Sequence, residues 1–151
     1  MNTVTVRQAT LSDLDALVPL FDGYRQFYGR ASDAQAVWAF LLDRFNHGDS
    51  ALFLAVEGQT PIGFTQLYPS FSSVSLARTF ILNDLFVQEQ SRRKGVASKL
   101  LSAAIAFANT LGAVRVSLST AITNETAQAL YQSAGWKRDE QFFVFHFPLP
   151  V

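Results

Sequence analysis

Thr3 to Arg7 alternates, with Val4 and Val6 set against Thr3, Thr5 and Arg7, and predicts a short strand. Leu14, Leu17, Val18 and Phe21 then recur at helical spacing, with Ser12 and Asp15 placed like a capping box before them. Pro19 falls inside this helix and should kink or shorten it. Asp33 can cap a second helix whose apolar face is Val37, Phe40, Leu41 and Phe45. Ala51 to Val56 and Pro61 to Tyr68 read as strands joined by a tight turn at Glu57-Gly58-Gln59-Thr60, an antiparallel hairpin. Pro69 to Ser75 is polar and reads as irregular.

Thr79 to Val87 is strongly apolar and predicts a buried strand. Gly95 to Leu111 is helical, with Leu100, Leu101, Ala104, Ile105, Ala108 and Leu111 inward and Gly112 as its stop. Val114, Val116 and Leu118 mark the next strand, and Thr126 to Ala134 a short helix ended by Gly135. Gln141 to Phe147 alternates Phe143, Phe145 and Phe147 on one face, a last strand. The unit from Thr79 to Thr120 should be a right-handed parallel crossover. The expectation is a single α/β domain over residues 1–151: a mixed, mostly antiparallel sheet of six to seven strands with helices on both faces.

A chain of 151 residues suits one core. With 49% hydrophobic and 16% charged residues it is not a disordered chain. Its 12 basic residues equal its 12 acidic ones, which argues against general nucleic-acid binding. There is no cysteine, so disulfides, thiolate metal sites and cysteine nucleophiles are excluded. His47 and His146 are far apart and make a poor metal pair, so no metal is expected. No basic-then-apolar leader opens the chain and no apolar run is long enough to span a bilayer, which predicts a soluble, cytoplasmic protein.

Two segments carry candidate chemistry. Arg92-Arg93-Lys94-Gly95-Val96-Ala97 lies between a buried strand and a long helix. A helix N-terminus offers free amides and a positive dipole end, and Gly95 permits close approach and unusual dihedrals. Arg92, Arg93 and Lys94 add positive charge, suited to a phosphorylated ligand. A solvated basic turn capping a helix explains the same residues. In the second segment, Asn124 could hold a polar group of a ligand or cap a helix. Tyr131, with a hydroxyl pKa of about 10 when unperturbed, could donate a proton to a leaving thiolate or satisfy a core hydrogen bond.

Taken together these residues resemble the GNAT superfamily of acyl-CoA-dependent N-acetyltransferases. The family turn [QR]-x-x-G-x-[GA] matches Arg92, Gly95 and Ala97. Its later N-x-x-A-x-x-[LF]-Y-x-x-x-G-[FW] pattern matches Asn124, Ala127, Leu130, Tyr131, Gly135 and Trp136. The resemblance implies the acyl-CoA N-acyltransferase fold, in which two parallel strands, here Thr79–Val87 and Val114–Thr120, splay apart. It implies acetyl-CoA as the acyl donor. Backbone amides from Arg93 through Ala97 would hold the pyrophosphate, and Leu85, Phe86 and Val87 would pair with the pantetheine arm like an added strand. An amide near Phe86 or Val87 would polarise the thioester carbonyl, and Tyr131 would be the general acid. The segment Leu82 to Val87 also looks like the matching strand of diamine (spermidine/spermine) acetyltransferases, although Asn83 stands where those enzymes carry the first of an acidic pair.

An alkylamine with a pKa of about 10 is mostly protonated near pH 7, and exposing its lone pair there costs about 4 kcal/mol. Some group must accept that proton. Asp84 is the nearest candidate in the sequence. Simple alternation puts Asn83 and Asp84 on opposite faces unless a bulge intervenes. Tyr24, Tyr28, Tyr68 and Phe71 could line the acceptor pocket, and Asp22 or Asp33 could bind a distal ammonium. The expected acceptor is a small primary amine. The alternatives are a protein lysine or N-terminus, or a non-catalytic acyl-CoA-binding module. The phenylalanine-rich last strand offers an edge for a homodimer, and packing within one subunit is its other use.

Overall fold

The structure is a computed structural model that describes residues 3–151. The chain divides into two compact units, the first ending at Ser119 and the second spanning Thr120–Val151.

The first unit is built on a five-stranded sheet in the order β1-β2-β3-β4-β5. Its strands are β1 (Val4–Gln8), β2 (Ala51–Glu57), β3 (Thr60–Ser72), β4 (Ala77–Val87) and β5 (Val116–Ser117). Every neighbouring pair is antiparallel except β4 and β5, which run parallel. Five strands, rather than six or seven, are present among the described residues. The helices of this unit are α1 (Leu14–Phe27), α2 (Ala34–His47) and α3 (Val96–Thr110).

The side-chain period of a strand assigns those helices to faces. Leu52 and Leu54 of β2 join Leu17, Phe21, Val37 and Leu41 of α1 and α2 in one core cluster. Phe53, between them, points the other way and meets Phe107 of α3 at 5.3 Å between ring centroids. Helices therefore cover both faces, and residues 51–55 are buried without a break.

Several elements differ from expectation. Pro19 sits inside an unbroken α1, because Leu14, Leu17, Leu20 and Phe21 pack on the sheet and hold the helix through the missing donor. The capping interaction lies earlier than Ser12 and Asp15: the Thr10 N–H donates to Asp13 Oδ2, and Asp13 also takes a two-pronged contact from Arg7. Residues 69–72 are strand rather than irregular, since Pro69 to Ser72 pair with Ala77 to Phe80. Ile105, Leu111 and Phe40, expected inward, are exposed at the rims of their helices.

The second unit contains α4 (Glu125–Ser133), whose cap is Asn124: its Oδ1 accepts from the Ala127 N–H at 3.1 Å. The strand expected over Gln141 to Phe147 does not form. Phe143, Phe145 and Phe147 are 92%, 91% and 87% exposed. Alternation supplies a strand with a face, but a strand also needs a partner along its edge.

Candidate active site

β4 ends in the segment that carries most of the candidate chemistry. Gln66 of β3 stands opposite Asp84, and the next residue, Leu67, stands opposite Leu82. Asn83 is thus an extra residue, a β-bulge, and simple alternation fails there. The Thr65 hydroxyl braces the bulge by donating to the Asp84 carbonyl at 2.7 Å. As a result Asn83 and Asp84 are not on opposite faces: Asn83 Nδ2 donates to Asp84 Oδ1 at 3.1 Å. Asn83 is exposed, whereas Asp84 is only 4% exposed.

The Asp84 carboxylate accepts a second hydrogen bond from Gln66 Nε2, at 2.8 Å on Oδ2, and Gln66 Nε2 also donates to the Tyr68 hydroxyl at 3.0 Å. From α1, the Tyr24 hydroxyl donates to the Asn83 carbonyl at 3.4 Å. Burial pushes the Asp84 carboxyl above the usual carboxylate range; hydrogen bonds from Gln66, Tyr24 and Asn83 oppose that shift without cancelling it. Burial and the neighbouring Asp84 charge push the Tyr68 hydroxyl up to about 12, and the Tyr24 hydroxyl higher still. Both phenols are therefore neutral donors across the physiological range.

Of the expected acceptor-pocket residues, Tyr24, Tyr68 and Asn83 gather around Asp84. Tyr28 is exposed and packs edge-on against Tyr24 at 5.1 Å. Phe71 is exposed on the far part of β3 under Arg78. Asp22 and Asp33 have structural work: Asp22 accepts from the Ser32 hydroxyl and the Asp33 N–H, and Asp33 caps α2 by accepting from the Ala36 N–H. Gln66 and Thr65 escaped notice in the sequence. The available signal was a polar pair inside an otherwise apolar strand, Phe64-Thr65-Gln66-Leu67.

On its other side β4 is only partly paired. β5 meets it at Phe80 and Ile81, so Leu85, Phe86 and Val87 have no strand partner on that side among the described residues. On the β3 side the approach is very close at Gly63. A β-carbon there would lie 2.7 Å from the Phe86 carbonyl oxygen.

The turn after β4 joins a basic run to the N-terminus of α3. Arg93 and Gly95 both have left-handed backbone, with φ of 65° and 77°, and Gly95 is the N-cap of α3. Free backbone amides at this point lie at the positive end of a helix. The side chain of Val96 is buried in the core, which leaves its backbone for a ligand. Arg92 is tied back to the strand: its Nε donates to the Val87 carbonyl at 2.9 Å, and its guanidinium lies over Phe27 and Phe86. Arg93 and Lys94 are exposed. The groups present thus fit a phosphorylated cofactor with an extended arm. In the second unit Asn124 Oδ1 is used by its helix cap, and Tyr131 of α4 packs against Trp136 at 6.1 Å. No group of residues able to hold a metal ion is present among the described residues, and among them no helix is long and apolar enough to cross a membrane.

A mixed sheet with one parallel pair and a glycine-capped basic turn after the fourth strand fit an acyl-transferring class. The acetyltransferase (GNAT) family matches residues 17–136, and the chain belongs to that family. It is 45% identical over 148 residues to the uncharacterized N-acetyltransferase YhfO of Bacillus subtilis (strain 168), covering 98% of this chain and 99% of that protein. A crystal structure of a probable acetyltransferase superposes with a TM-score of 0.93 at 43% identity, over 97% of this chain and 99% of the other. An aminoglycoside N-acetyltransferase in complex with CoA shares the fold, with a TM-score of 0.82 at 19% identity, over 99% and 97% of the two chains. The protein is an N-acetyltransferase of a family that uses acetyl-CoA.

Proposed function

We propose that this chain transfers an acetyl group from acetyl-CoA directly to a primary amine of a small molecule, polyamine-like or lysine-like. The observation that carries the reading is the Asp84 carboxylate, buried at a bulge and flanked by Tyr24 and Tyr68. A carboxylate raised above its usual pKa is a better proton acceptor than an exposed one. Asp84 Oδ2 or Oδ1 takes the proton from the substrate ammonium. The two neutral phenols and Asn83 orient the amine. Neutral polar groups suit a cation whose charge is about to be removed, because they do not compete with Asp84 for the proton.

When bound, acetyl-CoA supplies an acetyl group activated as a thioester. The amides from Arg93 through Ala97 would hold its phosphates, with Arg93 and Lys94 adding charge. The edge of Leu85, Phe86 and Val87 that has no strand partner among the described residues would receive the extended arm, and an amide near Phe86 or Val87 would donate to the carbonyl oxygen. The family resemblance would make Tyr131 the acid for the departing thiolate. With no cysteine in the chain, no acyl-cysteine forms and transfer is direct.

The test is thiol release from acetyl-CoA against a panel of polyamines, amino acids, aminoglycosides and lysine peptides. Release dependent on one small-amine class is the expected result. Release only with lysine peptides moves the acceptor to proteins. Binding of acetyl-CoA with no release from any member removes the small-amine reading and favours a binding module.

A further inference from the structure

Gln66 lies in the middle of β3, 0% exposed, between Thr65 and Leu67. Its Nε2 makes two hydrogen bonds at once, to Asp84 Oδ2 and to the Tyr68 hydroxyl. Its Oε1 is equally buried and has no hydrogen-bond partner among the described residues. An unpaired buried acceptor works against folding. A residue needed only to fill this space would be leucine or methionine. The two ends of a primary amide are nearly identical in size and opposite in hydrogen-bonding sense. Half a turn about the last side-chain bond would exchange them, and Oε1 would then face Asp84 Oδ2 and the Tyr68 hydroxyl. Against a carboxylate that arrangement is repulsive. Against a carboxylic acid it is a hydrogen bond, because Oδ2–H donates, and the Tyr68 hydroxyl donates as well. Each amide orientation therefore matches one protonation state of Asp84.

We propose that Gln66 is a positioning residue that follows the proton on Asp84. It presents Nε2 to the carboxylate, and Oε1 to the carboxylic acid formed when Asp84 takes a proton from the acceptor ammonium. The inference rests on the reading of Asp84 as the base. The proton balance is simple: the ammonium loses one proton, Asp84 gains it, and the neutral amine keeps the lone pair that attacks. Asp84 later returns the proton to solvent. The groups facing Asp84 are Tyr24 from α1, Tyr68 and Gln66 from β3, and Asn83 on its own strand. The next charges outward, Arg44 and Asp49, contact each other at 3.2 Å and bear on Tyr68. Tyr68 stays protonated throughout, so Asp84 is the group that changes state. A buried amide that could serve only one state would hold Asp84 in that state; one that serves both leaves the proton free to move.

The experiment is a pH titration of the isotopically labelled protein, following the Gln66 side-chain amide and the Asp84 carboxyl carbon by NMR. The expected result is one shared midpoint, lost from Gln66 in Asp84→Asn. An amide resonance that stays flat while Asp84 titrates overturns the proposal. Gln66→Met gives a second readout. Of the two hydrogen bonds lost with the amide, the one to the charged carboxylate is the stronger, so the acid limb of kcat/KM for the amine should move up by about half a pH unit or more, roughly a threefold change in proton affinity. Acetyl-CoA affinity should not move. If Gln66→Met leaves that limb in place, Gln66 has no positioning role. Should Asp84→Asn keep wild-type turnover, the base assignment fails instead, and the amide titration still judges Gln66. The wild-type titration stands whether or not Gln66→Met folds.

Discussion

Two glycines stand close to Phe86, one by its backbone and one by its ring, and replacing each by alanine should have opposite effects. Gly63 of β3 is the tight one. Its added β-carbon would lie 2.7 Å from the Phe86 carbonyl oxygen and 3.4 Å from both Cα and Cγ2 of Val87. An ordinary carbon–oxygen contact is about 3.3 Å or longer, so something must move by about half an ångström. The obstacle is backbone, and the strand cannot simply slide. Gly63 pairs with Val87, Phe64 with Phe86, and the Gln88 N–H is bound to the Ile62 carbonyl at 2.9 Å. Overpacking of this kind costs roughly 1–3 kcal/mol. For a chain of this size that corresponds to a fall in melting temperature of about 2–12 °C. The displaced atoms belong to the edge proposed to receive the cofactor, so acetyl-CoA binding should weaken on the order of tenfold. Gly23 of α1 is the control. Its added carbon meets only the tip of the Phe86 ring, at 3.4 Å. There the gain in helix propensity should dominate, stabilising the protein by up to about 1 kcal/mol. Thermal unfolding by circular dichroism and calorimetric titration with acetyl-CoA measure both variants. Gly63→Ala with unchanged melting temperature and unchanged affinity would refute the claim that this close approach sets the position of the β4 edge.

The remaining predictions concern protons and assembly. Asp84 has a raised pKa in the folded protein, so ionising it favours the unfolded chain, and its burden on stability grows as pH rises from the ordinary carboxylate range toward the folded value. Asp84→Asn should therefore lose tenfold or more in turnover at pH 7 without a lower melting temperature there; a marked drop in melting temperature would make Asp84 a structural residue. Asp13 is the reverse case: Arg7 first, with help from the Thr10 N–H, holds its carboxyl down at about 2. Its contribution should be complete above the unfolded value of about 4 and be lost as pH falls through about 2, so Asp13→Asn should be less stable than wild type at pH 7 and match it only at about pH 1 by denaturant titration. Tyr131→Phe should lower turnover tenfold or more with little change in acetyl-CoA affinity, and steady-state kinetics showing unchanged turnover would end its role as the acid. The exposed Phe143, Phe145 and Phe147 predict a homodimer by light scattering, lost when all three are changed to serine; a monomeric wild-type protein at working concentration contradicts it.

What could be read from the sequence was what depends on local chemistry. The glycine-capped basic turn before α3 was legible because glycine, a basic run and a helical pattern in that order have a physical meaning before any fold is known. The structure adds the left-handed Arg93 beside Gly95 and the buried side chain of Val96. The paired strands around Gly58 were legible for the same reason. The last strand was not, because alternation in Gln141 to Phe147 specifies a face and says nothing about a neighbouring edge. Five strands rather than six or seven follow from that. Arg92 was legible as a cation, but its tie to the Val87 carbonyl depends on where the chain turns back.

The acceptor site was the least legible part, and the reason lies in one residue. Asp84 was a candidate from the start, yet strict alternation set it against Asn83. The bulge that resolves the conflict is a property of pairing, not of the β4 sequence. It exists because Gln66 and Leu67 of β3 take Asp84 and Leu82 as partners and leave Asn83 over. The same pairing sets Gln66 and Tyr68 beside the carboxylate, and neither residue carries a motif. A buried acid in such a place does not help the fold: burial raises its pKa, Gln66 Oε1 is left without a partner, and the bulge interrupts the ladder. Three costs meeting around one carboxylate are hard to explain by packing, and they support the proposal that Asp84 takes a proton: its carboxylate is dry enough to want one, and the donors beside it are close enough to let it ionise.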